Sequence, residues 1–279
     1  MKNSRLLPIL MVILAGVLWS FAGVLGKFTA WSAFSIVGFR SIISALILGA
    51  YRRDFRPKNT KGNWIGAVGV AATSALFIIA NKITSPANAI VLQYAMTAIV
   101  IVLQAVIFKM RLRRLDIVAA AAVLCGVVLC FCQNFGGGKI IGDFVGLMSA
   151  FTWSIVFLAA RLHGADSASY SYMGNLLGSA FAVNMFFDPA VHAGGWQGVL
   201  VPIAMGVTLG LGYLFFALGM RRGVAPAAAA VVSNIEPVLN PTWVFLFCGE
   251  APGALSILGA ALVLITVTAY SLSNAKSAA

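Results

Sequence analysis

The chain has 279 residues, 61% of them hydrophobic and only 9% charged, with a formal net charge of +12. So little charge cannot cover the surface of a soluble globule of this size, which excludes an ordinary soluble enzyme or nucleic-acid-binding domain. The position of the basic residues along the chain therefore carries more information than their number.

Taken in chain order, the first apolar run, 6–26, follows Lys2 and Arg5. It exceeds the ~7–15-residue core of a signal peptide, and Trp19 and Lys27 suit no cleavage site, so it reads as a spanning helix. The run 33–51 carries a charge in its interior, Arg40, and a basic loop with Pro57 separates it from 63–81. The run 86–107 opens with Pro86-Ala87 and contains Gln93, Tyr94 and Thr97. The joint 109–116, KMRLRRLD, leads into 115–132, where Cys125, Cys130 and Cys132 stand without a CxxC or a nearby histidine; Cys248 ends a later run. These read as apolar core cysteines with no metal or redox role.

After Gly136-Gly137-Gly138 the pattern restarts. The run 142–162 contains Trp153, and 168–187 contains Asn175. Asp188-Pro189 and Gly194-Gly195 precede 198–219. The run 225–247 opens with Pro226-Ala227 and holds Ser233, Asn234, Glu236 and Pro237, with Asn240-Pro241 predicting a kink. The last run is 253–272. A run of ~20 residues in a helix crosses the ~30 Å hydrocarbon core. None of the runs alternates as barrel strands do, and only a helix satisfies its own backbone in lipid.

With the N-terminus inside, the inner segments hold 15 of the 19 Lys and Arg residues, the outer loops hold Lys27, Lys82 and Lys139, and Arg40 lies within a helix. This is the positive-inside pattern, and it predicts a cell membrane protein with both termini cytoplasmic. The halves align at an offset of 140: Pro86 falls on Pro226, Thr97 on Pro237, Met110 on Glu250 and Leu115 on Leu255. Trp19 falls on Trp153 at 134. Five helices per copy is an odd number, so the second copy enters from the opposite side. That is why KMRLRRLD is basic and its counterpart GEAPGALS is not. The expectation is an all-α membrane protein of ten transmembrane helices in two inverted five-helix repeats, 1–138 and 139–279.

The stretches GDFVGLMSAFTWSIVFLAARL, PANAIVLQYAMTAIVIVLQAVIF and IEPVLNPTWVFLFCGEAPGALSILGAALVL resemble the drug/metabolite transporter superfamily, EamA type; LWS at 18–20 and Arg40 fit the same pattern. The resemblance implies alternating access and transport of small metabolites, often amino acids or related amphipathic solutes, usually outward. This chain departs from the family pattern at Thr97, where Pro is common, and at Met110, where Glu is common; the second half keeps both, as Pro237 and Glu250.

An ionisable residue inside a membrane helix is a functional candidate because burying it costs ~2.5–3.5 kcal/mol. Arg40 is the candidate for a substrate carboxylate. Glu236 is the candidate for ion coupling, beside the carbonyl that Pro237 leaves free. Each also has a purely structural reading, as an anchor on backbone carbonyls or a hydrogen-bonded carboxyl. Depth in the helices adds Trp19, Gln93 and Tyr94 on one side, Asn175, Ser233 and Asn234 on the other, and Trp153 between, as substrate-binding candidates; helix-to-helix hydrogen bonding is the plainer role for the amides. The Gly174/Gly178, Gly206/Gly210 and Gly142/Gly146 pairs are expected to bring helices of one chain together, with dimerisation the lesser reading. No nucleotide-binding or metal motif occurs, so the expected partners are a small-molecule substrate and the bilayer, with no cofactor, no nucleic acid and no enzyme activity. Uptake or exchange is the alternative to export, and a channel a lesser one.

Overall fold

The computed structural model describes residues 3–109, 113–133, 140–249, 251 and 253–277. Lys2, Met110, Arg111, Gly136, Gly137, Gly138, Lys139, Glu250 and Pro252, used in the reading above, lie outside the described residues. The described chain is helical throughout: α1 Asn3–Lys27, α2 Ala33–Arg52, α3 Lys61–Ile83, α4 Pro86–Gln93, α5 Met96–Ile107, α6 Arg114–Gln133, α7 Ile140–Ala159, α8 Ser167–Ser179, α9 Pro189–Ala193, α10 Gly195–Arg221, α11 Pro226–Val232, α12 Glu236–Cys248 and α13 Ala254–Ser277. Among the described residues, six spans are long and apolar enough to cross a membrane: Leu6–Lys27, Ala33–Arg52, Lys61–Ile83, Pro86–Ile107, Ile140–Ala159 and Gly198–Arg221. The outer surface is apolar, with Leu46, Val68, Val106, Val118, Phe144, Phe186, Ile257 and Ile265 exposed. An aqueous protein could not present such a surface; a bilayer solvates it.

Local chemistry starts these helices where the sequence placed their breaks. The side chains of Ser32, Thr60, Ser85 and Asp166 each accept a hydrogen bond from the backbone N–H three residues on, filling donors that a helix start leaves open. Pro86 and Pro226 occupy first positions, where no N–H is needed.

Three apolar runs are not the single helices expected. The run 168–187 tightens into a 3-10 segment at Ala180–Phe186. There Phe181 and Ala182 press their backbone against Gly38 of α2, with no room for a Cβ, and the Asn184 Nδ2 donates to Ser32 Oγ and Ser35 Oγ at 2.8 and 3.0 Å. The runs 86–107 and 225–247 are each broken in two. In the first, Ala95 and Thr97 switch to bonds three residues back, on Leu92 and Tyr94. In the second, the 3-10 turn Ser233–Ile235 interposes. This break precedes Asn240-Pro241, where the kink was expected. Pro237 is the reason: it cannot donate to Ser233 as a continuous helix requires, and it sits without cost in the first turn of a new one. The second segments begin at Met96 and Glu236, 140 residues apart, like the first segments at Pro86 and Pro226.

Packing between the halves is reciprocal. Helix α1 packs on α10 and α3 on α7; α2 pairs with α8, α6 with α13, α4 with α12 and α5 with α11. Such exchanges fit two copies related by a two-fold axis. The glycine pairs serve these contacts within the chain. Gly174 meets Val70, Gly178 meets Ser41, Gly206 and Gly210 meet Ile43 and Ile47, and Gly142 and Gly146 meet Thr84 and Leu92. Small residues let backbones approach where lipid supplies no hydrophobic drive between helices.

Candidate functional site

A partly open pocket lies where the two halves meet. The first half contributes Trp19 and Ala22 of α1, Arg40 of α2, Thr73, Ser74 and Phe77 of α3, and Gln93 at the end of α4. The second contributes Trp153 of α7, Met205, Thr208, Leu209 and Tyr213 of α10, and Glu236 at the start of α12. The space free of protein atoms is about 470 Å³, counting its open mouth.

Aromatic rings form one wall. Trp19 meets Trp153 edge-to-face at 5.1 Å between centroids and Tyr213 at 5.3 Å. Phe157 joins Trp153 and Phe216, each at 5.2 Å. Close approach of α10 to Trp19 depends on Gly212, where a Cβ would overlap the indole.

The polar groups on this wall are mostly donors. Arg40 is 3% exposed. Its Nη2 donates to the Ser74 carbonyl at 3.1 Å and hydroxyl at 2.7 Å, while its Nε has no partner. The indole Nε1 groups of Trp19 and Trp153 are likewise buried without an acceptor. An indole N–H can only donate, and a guanidinium never deprotonates in a protein. Glu236 is 4% exposed, and its Oε2 lies 2.6 Å from the Tyr94 hydroxyl. The chemistry offered is thus a fixed cation with spare N–H donors, an aromatic face, and one carboxyl.

Of the residues singled out from sequence, Trp19, Arg40, Gln93, Trp153 and Glu236 line this one space. Tyr94 stands just behind it, fully buried, with its hydroxyl on Glu236 and on the Ser233 carbonyl. The Ser233 hydroxyl turns to its own helix at Ala229. The Asn175 Nδ2 does the same at Ser171. Depth along a helix sets height in the membrane, not rotation about the axis, and rotation takes Asn175 away from the cavity lining. The Asn234 side chain lies outside the described residues. Sequence reading missed Thr73, Ser74, Thr208 and Tyr213. Tyr213 lies mid-run, and the depth criterion that selected Tyr94 would have found it.

The two routes out of the cavity differ. Toward the end bearing the N-terminus, the aromatic layer is backed by Tyr170, whose hydroxyl bonds the Val156 carbonyl at 3.0 Å. Beyond it, Arg221 holds Asp166 through Nε and Nη2 at 2.6 and 2.8 Å. Asn63 accepts from the Asp166 N–H at 2.8 Å, and Thr60 donates to the Gly164 carbonyl at 2.9 Å. Toward the opposite end lies a second hollow of about 630 Å³ lined by Gly23, Gly26, Ile78, Asn81 and Lys82. It adjoins the cavity along α1 at Ala22–Gly23 and along α3 at Phe77–Ile78. The ties at this end include a Lys82 Nζ bond of 3.0 Å to the Thr29 carbonyl, a Thr84 hydroxyl bond of 2.7 Å to Asp143 and a Ser32 N–H bond of 2.8 Å to Asp188.

Burial pushes the Asp166 carboxyl up, but its bonds from Arg221 and Ser169 outweigh this and hold it below the ordinary aspartate range. A depressed folded value stabilises at every pH above the unfolded pKa of ~3.9 and is lost only as pH falls through the lower folded value. Asp166→Asn should therefore lower the unfolding temperature by a similar amount at neutral and mildly acid pH. The difference from the parent should shrink only below about pH 4. A half-exposed pair of this kind contributes under about 1 kcal/mol. A difference that vanished already in mildly acid solution would refute the ion pair.

A helical chain with an apolar outer surface and a buried polar cavity between two halves is a multi-pass membrane protein of the transporter type. A model of the EamA-like transporter family matches residues 6–132 and 140–272, and the chain belongs to that family. No curated protein matches it. A solved structure titled "Crystal structure of protein" superposes with a TM-score of 0.73 over 99% of this chain and 100% of its own, at 19% identity. This likeness concerns the fold.

Proposed function

We propose that the protein is a secondary transporter of the cell membrane that moves small metabolites, amino acids or related amphipathic solutes, outward by alternating access between two inverted repeats. The observation that carries this reading is the cavity built from both halves, with Arg40 and the two indole N–H groups lacking a full set of acceptors. A solute that supplies acceptors, above all a carboxylate on the guanidinium, satisfies them. Its apolar part would rest on Trp19, Trp153 and Tyr213. Gln93 is a further polar contact, and Glu236 is the candidate ion-coupling residue. Sites near the midplane between repeats, flanked by broken helices, are characteristic of such carriers. With both termini cytoplasmic, Asp166–Arg221 and its neighbours close the inner route, and the Lys82 hollow leads outward.

The test combines topology with transport. Single cysteines at Ala193 and Asn59 should label from outside and inside respectively. Everted vesicles should accumulate a radiolabelled amino-acid substrate if the direction is export. Internal labelling at both positions would overturn the ten-span inverted arrangement. Accumulation only in right-side-out vesicles would make the carrier one of uptake.

A further inference from the structure

The two helix breaks are joined by one hydroxyl. Tyr94 stands at the first break, between α4 and α5, and its Oη lies 2.7 Å from the Ser233 carbonyl oxygen and 2.6 Å from Glu236 Oε2 at the second. All three residues are buried. A phenol has one proton to donate, and a backbone carbonyl can only accept. An ionised carboxylate can also only accept. With Glu236 ionised, one of these two short oxygen–oxygen contacts would therefore hold no proton at all.

The Ser233 carbonyl decides where the Tyr94 proton goes. In a continuous helix the Ser233 carbonyl would accept from the N–H of residue 237, which is a proline without one. Here the 3-10 turn gives it the Glu236 N–H instead, and, since a carbonyl cannot donate, the short Tyr94 contact holds a proton only if the hydroxyl provides it. Its oxygen is then left as an acceptor, and a short contact from Glu236 is satisfied only if the carboxyl brings its own proton.

We propose that Glu236, Tyr94 and the Ser233 carbonyl form a proton-binding site, and that the closed packing seen here is its protonated state, with Glu236 donating to Tyr94 and Tyr94 donating to Ser233. The proposal deepens the coupling role suggested for Glu236 and rests on the transport reading for its use. Loss of the proton to the cavity, which Glu236 lines, leaves a carboxylate. A charge-assisted bond is about twice as strong as a neutral one, so the Tyr94 proton turns from Ser233 to Glu236. The carbonyl at the second break then keeps only the Glu236 N–H, and the tie between the two breaks is reduced to one residue pair. Tyr94 is in this sense a positioning residue. The ionisable groups that share the space with Glu236 are Arg40 of α2, Tyr213 of α10 and Tyr94 itself. Helices α1 and α13 also pack against this stretch; α1 carries Arg5 and Lys27 near its two ends, and α13 carries Lys276 near its end and Tyr270, whose hydroxyl donates to Asp116.

The site can be tested on purified protein without any substrate. Infrared difference spectra through a pH titration should contain the C=O stretch of a protonated carboxyl that is lost in Glu236→Gln. In Tyr94→Phe, which keeps the ring, the band should shift to higher frequency because its hydrogen-bond acceptor is gone. Glu236→Gln should retain the closed packing, since its amide N–H replaces the donated proton. Absence of any such band at every pH at which the protein stays folded would overturn the proposal. So would a band that is unmoved in Tyr94→Phe. Vesicle transport is decided separately: a parent with the band that carries no solute removes the transporter reading and leaves the proton site standing.

Discussion

Arg40→Gln should insert, fold and purify like the parent and lose transport of carboxylate substrates by about ten- to a hundredfold, the equivalent of the ~1.5–3 kcal/mol of a hydrogen bond to a charged group. Folding should survive because the bonds Arg40 makes within the protein are to the Ser74 carbonyl and hydroxyl, and a glutamine amide still donates. Among the described residues, no carboxylate is bonded to it in the way Arg221 is to Asp166, so its removal leaves no paired counter-charge stranded. What disappears is the cation that a substrate would meet. Transport assayed in proteoliposomes with a carboxylate substrate and its amide separates the causes. Equal loss for both means a general defect, and unchanged transport means that Arg40 does not hold the carboxylate. Aggregated or misfolded protein would mean that Arg40 is an anchor of the fold.

The second large effect is expected at Gly212. In an unobstructed helix, exchanging Gly for Ala stabilises by roughly 1 kcal/mol. Here the added methyl meets the ring of Trp19 at Nε1, Cδ1 and Cε2. That ring is held by Trp153, Tyr213 and Phe216 and cannot swing aside freely. Overpacking of this kind costs about 1–3 kcal/mol, so Gly212→Ala should lower the unfolding temperature instead of raising it. Transport should fall as well, because the displaced indole forms a wall of the cavity. Trp19→Ala removes the ring that the methyl would overlap. The double variant should be more stable than the sum of its parts by at least ~0.5 kcal/mol. Strictly additive effects would mean that the two residues do not touch, and the cavity described here would be wrong.

Much of the architecture was legible because lipid is a severe solvent. Runs of about twenty apolar residues admit only helices. Proline and glycine marked nearly every joint, and the uneven placement of lysine and arginine indicated an orientation. Arg40 and Glu236 stood out for the same reason: an ionisable group in hydrocarbon is costly enough to be conspicuous. The repeat was visible as Pro86 over Pro226 and Trp19 over Trp153.

Other features were settled by packing, which a linear pattern does not contain. Pro237 predicted a free carbonyl; the 3-10 turn instead gives it the Glu236 N–H, and only the fold adds the Tyr94 hydroxyl from 139 residues away. Asn175 and Tyr213 are both buried polar residues of membrane helices. One turns to its own backbone and the other faces the cavity, because rotation about the helix axis is decided by which ridges and small residues mesh. Ser74 and Gly212 carry no chemical signal in the sequence at all; they matter because Arg40 and Trp19 come to rest on them. Composition, length and charge therefore determined that this chain is a two-repeat helical membrane protein. The tertiary structure alone decided which side chains share the space between the repeats, since close packing and hydrogen-bond direction act at distances of a few ångströms.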